Sequence, residues 1–285
     1  MSWKTTGGTE MRIASASHAA FAAVMIGLGV LGLIKRDFTM VWQPVPKGVP
    51  ARDVLVYLCA LVSIASGIGL LWRRTASLAA RVLLAALVLW FLLWRVRALF
   101  VASLVEGTWS AGETMVMTAG AWVLFAWFAT DWDRQRLGFA AGDKAMPIAR
   151  VLYGLGLLPF GYAHFAYVER TAEMVPGWLP WHLFWAYFTG GTFIVAGLAV
   201  VFGVFGRLAA GLSALQMGMF ALLVWVPIVA AGSLSDFQWG EVVSTLALTA
   251  AAWVVTDSYR GTPWLAVGKR ETQPALAIPS DHSNL

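Results

Sequence analysis

Apolar runs at about 13–34, 53–72, 77–104, 113–131, 147–168, 181–205, 207–230 and 239–257 alternate along the chain with short stretches of glycine, proline and charge. Each run is near the ~20 residues that carry a helix through a ~30 Å hydrocarbon core at 1.5 Å per residue. The pattern predicts an all-α, polytopic membrane protein with about eight transmembrane helices. Lys35-Arg36-Asp37 closes the first run, Arg73-Arg74 the second, and Asp131 to Arg136 the fourth. Lys4 and Arg12 precede the first run, but the small residues Ala14-Ser15-Ala16 stand before its apolar core. A signal-peptide cleavage site would follow that core, so the run reads as a retained helix. The segment 261–285 holds proline and polar residues without a period, and is expected to be a flexible tail.

The eight runs read as two four-helix copies, 1–140 and 147–258. Gly27-Leu28-Gly29 recurs as Gly154-Leu155-Gly156, and Met40-Val41 followed by prolines recurs as Met174-Val175-Pro176. Gly67 matches Gly197, Leu78-Ala79-Ala80 matches Leu208-Ala209-Ala210, and Ala121-Trp122 matches Ala252-Trp253. The offset stays between about 127 and 134 residues. An even number of helices per copy inserts both copies the same way round, related by an axis along the membrane normal.

Composition agrees with lipid as the solvent. The 285 residues are 59% hydrophobic and 12% charged, against roughly 25% charged in a soluble domain. The net charge of +5 sits at the flanks of apolar runs, with no basic stripe interleaved with aromatics, so nucleic acid is not a partner this chain calls for. One cysteine, Cys59, excludes an internal disulfide and any CxxC chemistry. Thirteen of the 20 Lys and Arg residues fall on the side that holds both termini, which predicts a multi-pass protein of the cell (inner) membrane with cytoplasmic termini. Trp42, Trp109, Trp178, Trp181 and Trp239 lie in the opposite loops, as an interfacial aromatic belt would.

Few residues offer chemistry. Gly27 to Gly32 spells GxGxxG, but no strand precedes it, so close helix packing is the better account. Arg95 and Arg97 lie within the third run, where a guanidinium costs at least ~2.5–3.5 kcal/mol unless it faces protein or water. They are about 200° apart on a helix, so one is expected to face the bundle, paired with Asp53 or Glu113, and the other to reach outward. His164, beside Tyr162, lies near the outer end of the fifth run, where a buried imidazole relays protons, binds a quinone carbonyl or ligates haem. His182 is the residue that could reach the same depth; no metal-ligand spacing such as HExxH is present. Thr189, Thr192 and Gln216 add hydrogen-bonding groups to the second half, and Pro159 and Pro227 fall inside its helices. The expected ligand site therefore comprises His164, Tyr162, Thr189, Gln216, Arg95 and a rigid loop cover at Trp178.

The second half resembles the DoxX-like family of four-helix membrane proteins. The resemblance rests on Arg150, Gly154, Gly161 and His164, then Met174-Val175-Pro176-Gly177-Trp178-Leu179-Pro180, then Tyr187-Phe188-Thr189-Gly190-Gly191, and covers about 147–257. The first half looks like a degenerate copy that lacks the His. The family is named for a membrane subunit of a thiosulfate:quinone oxidoreductase, and its relatives include partners of redox enzymes and assembly factors; members often carry Lys near the position of His164. The resemblance implies a membrane subunit that contacts quinone or a redox partner. The residues equally fit a non-enzymatic binder, carrier or assembly factor for a lipid-like molecule or another membrane protein. The chain has no cluster cysteines and no nucleotide motif, so any electrons would come from a cofactor on a partner.

Overall fold

A computed structural model describes residues 14–232 and 235–268. Eight long helices dominate it: α1 (Ala16–Lys35), α2 (Arg52–Leu71), α3 (Ala76–Val101), α4 (Leu104–Phe128), α5 (Ala145–Ala166), α6 (His182–Phe202), α7 (Gly206–Ala230) and α8 (Asp236–Asp257). Six of them are long and apolar enough to cross a membrane: α1, α2, α3, α6, α7 and α8. The chain is thus a multi-pass helical membrane protein in its coarse description. The other two, α4 and α5, pack against each other, and α4 also packs on α3 and α8. Most of α4 is buried. A helix that faces protein needs no lipid-compatible surface, so α4 tolerates Glu113, Thr114 and Thr118 in its interior.

Each helix packs on its neighbours in the chain, and α8 closes the ring against α1 while meeting α4 across the middle. The helix starts are set by local chemistry. Ser15, Ser103 and Ser235 accept hydrogen bonds from the backbone N–H groups of His18, Glu106 and Gln238, and the Gln238 side-chain oxygen accepts in return from the N–H of Ser235. Ala51 before α2 and Trp181 before α6 both adopt left-handed backbone, at φ 53° and 58°.

Glycine decides how closely the pairs α1/α2 and α5/α6 approach. A Cβ on Gly29 would stand 2.5 Å from the carbonyl oxygen of Ala60, and one on Gly67 2.6 Å from that of Ala22. In the other pair, a Cβ on Gly161 would stand 2.6 Å from the oxygen of Gly190, and one on Gly154 2.7 Å from that of Gly197. No side chain fits at such separations, which is how small residues drive helix association where lipid removes the hydrophobic incentive.

Both α3 and α7 contain one π-helical turn, Phe91–Arg95 and Ala221–Trp225. In each the following N–H reaches back five residues, from Val96 to Phe91 and from Val226 to Ala221. Such a turn rotates everything beyond it around the helix axis. Pro227 lies just after the second turn, but no proline accompanies the first.

At the end of the molecule that holds the loop 72–75, the short helix Asp131–Arg136 links the halves. Its buried Asp133 pairs with Arg81 at 2.7 Å and accepts from Ser77 and Thr130. Beyond α8, the described part of the tail is tied down: Phe205 donates its N–H to Ala266, Gly268 donates to Gly203, and Arg207 lies over Trp264 while donating to the Thr262 carbonyl. Residues 269–285, the rest of the expected tail, lie outside the described residues.

Candidate functional site

The loop between α1 and α2 is the least ordinary connection in the fold. Phe38, Val41, Trp42 and Val45 are buried, Trp42 with 2% exposure. An apolar loop that enters a bundle carries backbone carbonyls with it, and each left unpaired costs ~1–3 kcal/mol. Three successive carbonyls are met by α3: Arg95 donates Nη2 to Met40 at 2.9 Å and to Val41 at 3.4 Å, and Trp90 donates Nε1 to Trp42 at 2.7 Å. The indole of Trp42 donates in turn to Ser63 at 2.9 Å and meets the Trp90 ring edge-on. The loop mouth is held by Asp37 and Arg52 at 2.7 Å.

A cavity of about 300 Å³ opens between α1, this loop and α8. Leu28, Leu31, Phe38 and Val243 supply apolar wall, and Lys35, Thr39 and Gln43 supply polar groups. Met40 lines it and accepts at its carbonyl from Arg95, one of a buried set of charges. Arg95 is 1% exposed and Glu113 5%. They attract each other through the interior but form no direct ion pair. Glu113 accepts instead from Trp109 at 3.2 Å and from Ser244 of α8 at 3.3 Å. Glu241, one turn from Ser244, adds a second carboxylate that interacts with Glu113.

The expected partners of Arg95 are therefore corrected in kind. Asp53 is exposed at the start of α2, and Glu113 acts at a distance, because the π turn aims Arg95 at loop carbonyls. Arg97 is exposed, as its position around the helix requires.

His164 sits in the other half, where α5, α6 and α7 meet. Its Nδ1 lies 2.7 Å from the carbonyl oxygen of Phe160 one turn earlier. The ring stacks on Phe220 at 6.0 Å and meets Phe193 at 5.4 Å. Gly190 makes room for it, since a Cβ there would stand 2.8 Å from the His164 Cβ. In the same seam Gln216 accepts from Thr192 at 2.5 Å and donates to the Thr189 carbonyl at 3.0 Å. Those amide bonds join α6 to α7 and leave Gln216 a structural role. Tyr162 is exposed, and Trp178 is 70% exposed. His164, Thr189 and Gln216 thus share one three-helix seam, whereas Arg95 belongs to the other half.

His18 shows the contrast: Nδ1 accepts from the Ala14 N–H and Nε2 donates to the Leu70 carbonyl, so both nitrogens are used. Among the described residues, no three His, Cys, Asp or Glu side chains converge as metal ligands.

Sequence reasoning missed the Trp42–Trp90–Ser63 arrangement and Glu241. The signal for Glu241 was available, since an acid inside an apolar run marks a site by default. The burial of loop 36–51 had no such signal, because its tryptophan also suits an interfacial belt. Comparison of the chain with family models, with curated proteins and with solved structures finds no match.

Proposed function

We propose that this chain is a DoxX-like membrane protein of eight spanning helices in two related halves, and that its first half binds a small amphiphile without transforming it. The cavity of about 300 Å³ carries this reading, because it sets an apolar wall of Leu28, Leu31 and Val243 beside the polar Lys35, Thr39 and Gln43. Pockets that hold small molecules are of this size, mostly apolar, with few polar groups. A quinone, as the resemblance implies, is one such amphiphile; a lipid is another. The intramembrane charges Arg95, Glu113 and Glu241 support a functional rather than a packing role for this half.

The duplication is supported by matched landmarks: left-handed residues at Ala51 and Trp181, π turns at Phe91–Arg95 and Ala221–Trp225, and serine caps at Ser103 and Ser235. In this register Gly29 corresponds to Gly161 and Ala22 to Gly154, a few residues on from the glycine match that the sequence suggested.

Mass spectrometry of protein purified in mild detergent, then stripped and re-incubated with a membrane lipid extract, tests the binding role. One lipid or quinone class is expected to return in stoichiometric amount, and Val243→Trp, which fills the cavity, to prevent it. Equal recovery by both proteins would remove the proposal. A reporter fused after Leu285 is expected to be active in the cytoplasm and one near Trp178 outside.

A further inference from the structure

The two halves fill one and the same slot by different means. In the first half the slot is bounded by Trp90, the residue before the π turn, and by Ser63, three residues after the carbonyl of Ala60 that contacts Gly29. Trp42 enters it from the loop and satisfies its indole N–H on Ser63. In the second half the matching boundaries are Phe220, again the residue before the π turn, and Phe193, three residues after Gly190. Here the loop 167–181 forms a short helix, Val168–Glu173, and leaves Trp178 outside. The slot is occupied from α5 by His164.

This substitution leaves one atom over. The Phe160 carbonyl can only accept, so Nδ1 of His164 carries the proton and donates to it. The neutral ring then presents a bare lone pair at Nε2, and no group of the described protein donates to it. The residue is 9% exposed, and its ring is fixed by two phenyl rings and the bond to Phe160. A rigid imidazole with its inner nitrogen tied to a carbonyl and its outer nitrogen free is built to receive a hydrogen bond.

We infer that His164 Nε2 is the acceptor of a second ligand site, for a membrane-soluble aromatic molecule that carries an O–H or N–H donor. The donor follows from the lone pair. The aromatic class follows from the phenyl rings of Phe193 and Phe220 packed on the imidazole, and from the first half, which closes its slot with an indole N–H. Phenols, hydroquinones and indoles meet both conditions. An oxidised quinone, which only accepts, does not. The site is separate from the cavity near Val243 and does not depend on it.

The test is saturable binding of a tritiated prenyl hydroquinone, and of an alkylphenol, to the full-length protein in lipid nanodiscs, with the oxidised prenyl quinone as control. The donors are expected to bind at least tenfold more tightly than the quinone. His164→Phe, which keeps the aromatic packing and removes the acceptor, is expected to lose at least tenfold in affinity. His164→Gln retains an acceptor oxygen and is expected to restore part of it. The ¹⁵N resonance of His164 Nε2 should shift on addition of alkylphenol, while that of His18 stays in place. Donor binding unchanged in His164→Phe, quinone binding equal to hydroquinone binding, or no saturable binding of either donor by the wild-type protein would each overturn the inference.

Discussion

The loop 36–51 between α1 and α2 and the loop 167–181 between α5 and α6 behave in opposite ways. The first sinks into the bundle, with Trp42 at 2% exposure, and the second stays on the surface, with Trp178 at 70%. The difference lies less in the loops than in what faces them. Arg95 and Trp90 offer donors to three buried carbonyls. In α7, beside its own π turn, Phe220 has no donor and Trp225 spends its N–H on Thr245 at 3.0 Å. An apolar loop can enter a membrane bundle only where its backbone is satisfied. Where α3 supplies the donors, the loop is buried beside a cavity; around Phe193 and Phe220 the space is filled by His164 of α5.

The largest effect is expected at Arg95. Arg95→Ala strands the carbonyls of Met40 and Val41, each at ~1–3 kcal/mol, and also removes the positive charge that Glu113 feels at a distance. Thermal unfolding in detergent should show this loss, and the double variant with Glu113→Gln should recover part of it. A wild-type transition in Arg95→Ala would mean that the loop does not need its donors. Trp42→Ala comes next, since removing a buried aromatic costs ~3–5 kcal/mol. Trp178→Ala should stay within about 0.5 kcal/mol, as exposed positions do. Similar losses in the two variants would erase the contrast between the loops.

A smaller effect, ~1–3 kcal/mol from overpacking, is expected for Gly29→Ala and for Gly161→Ala alike, because each added Cβ meets a carbonyl of the partner helix. Gly191→Ala, with nothing within 4 Å, should be neutral or stabilising by about 0.5–1 kcal/mol. If only one of the first two is disruptive, the α1/α2 and α5/α6 pairs are not equivalent.

The smallest effect depends on pH and separates the halves at their other end. Burial opposes the charge on Asp133, but hydrogen bonds from Thr130, Arg81 and Ser77 outweigh it and hold the carboxyl below its usual range. A carboxyl depressed by folding contributes stability above its unfolded value and loses it as pH falls through the lower folded one. Hydrogen exchange around 76–81 and 130–136 should therefore quicken as pH drops below the ordinary carboxylate range, and Asp133→Asn should abolish the dependence. At the ends of α5, α7 and α8, Arg207 and Arg150 donate to the carbonyls of Thr262 and Ser258, which do not titrate; Asp257 there accepts from Arg260 and Ser17, and this region should respond less. Equal acceleration in both regions would place the acid sensitivity elsewhere.

Much of the architecture was legible in the chain. Runs of about 20 apolar residues bounded by charge placed seven of the eight long helices to within a few residues of where they lie, since hydropathy and length are local properties, whereas α4 begins at Leu104, nine residues before its run. That one of Arg95 and Arg97 faces the bundle and the other outward followed from helical geometry alone. The seam of His164, Thr189 and Gln216 was also within reach of the sequence, because polar residues in an apolar helix turn toward other helices. What the chain could not specify was decided between helices. The direction of Arg95 depends on a π turn, the entry of Trp42 on donors 48 and 55 residues away in sequence, and the bare nitrogen of His164 on which groups do not face it. These are matters of satisfying buried polar atoms across helices. Composition can state that such atoms exist, but only the packed structure assigns their partners.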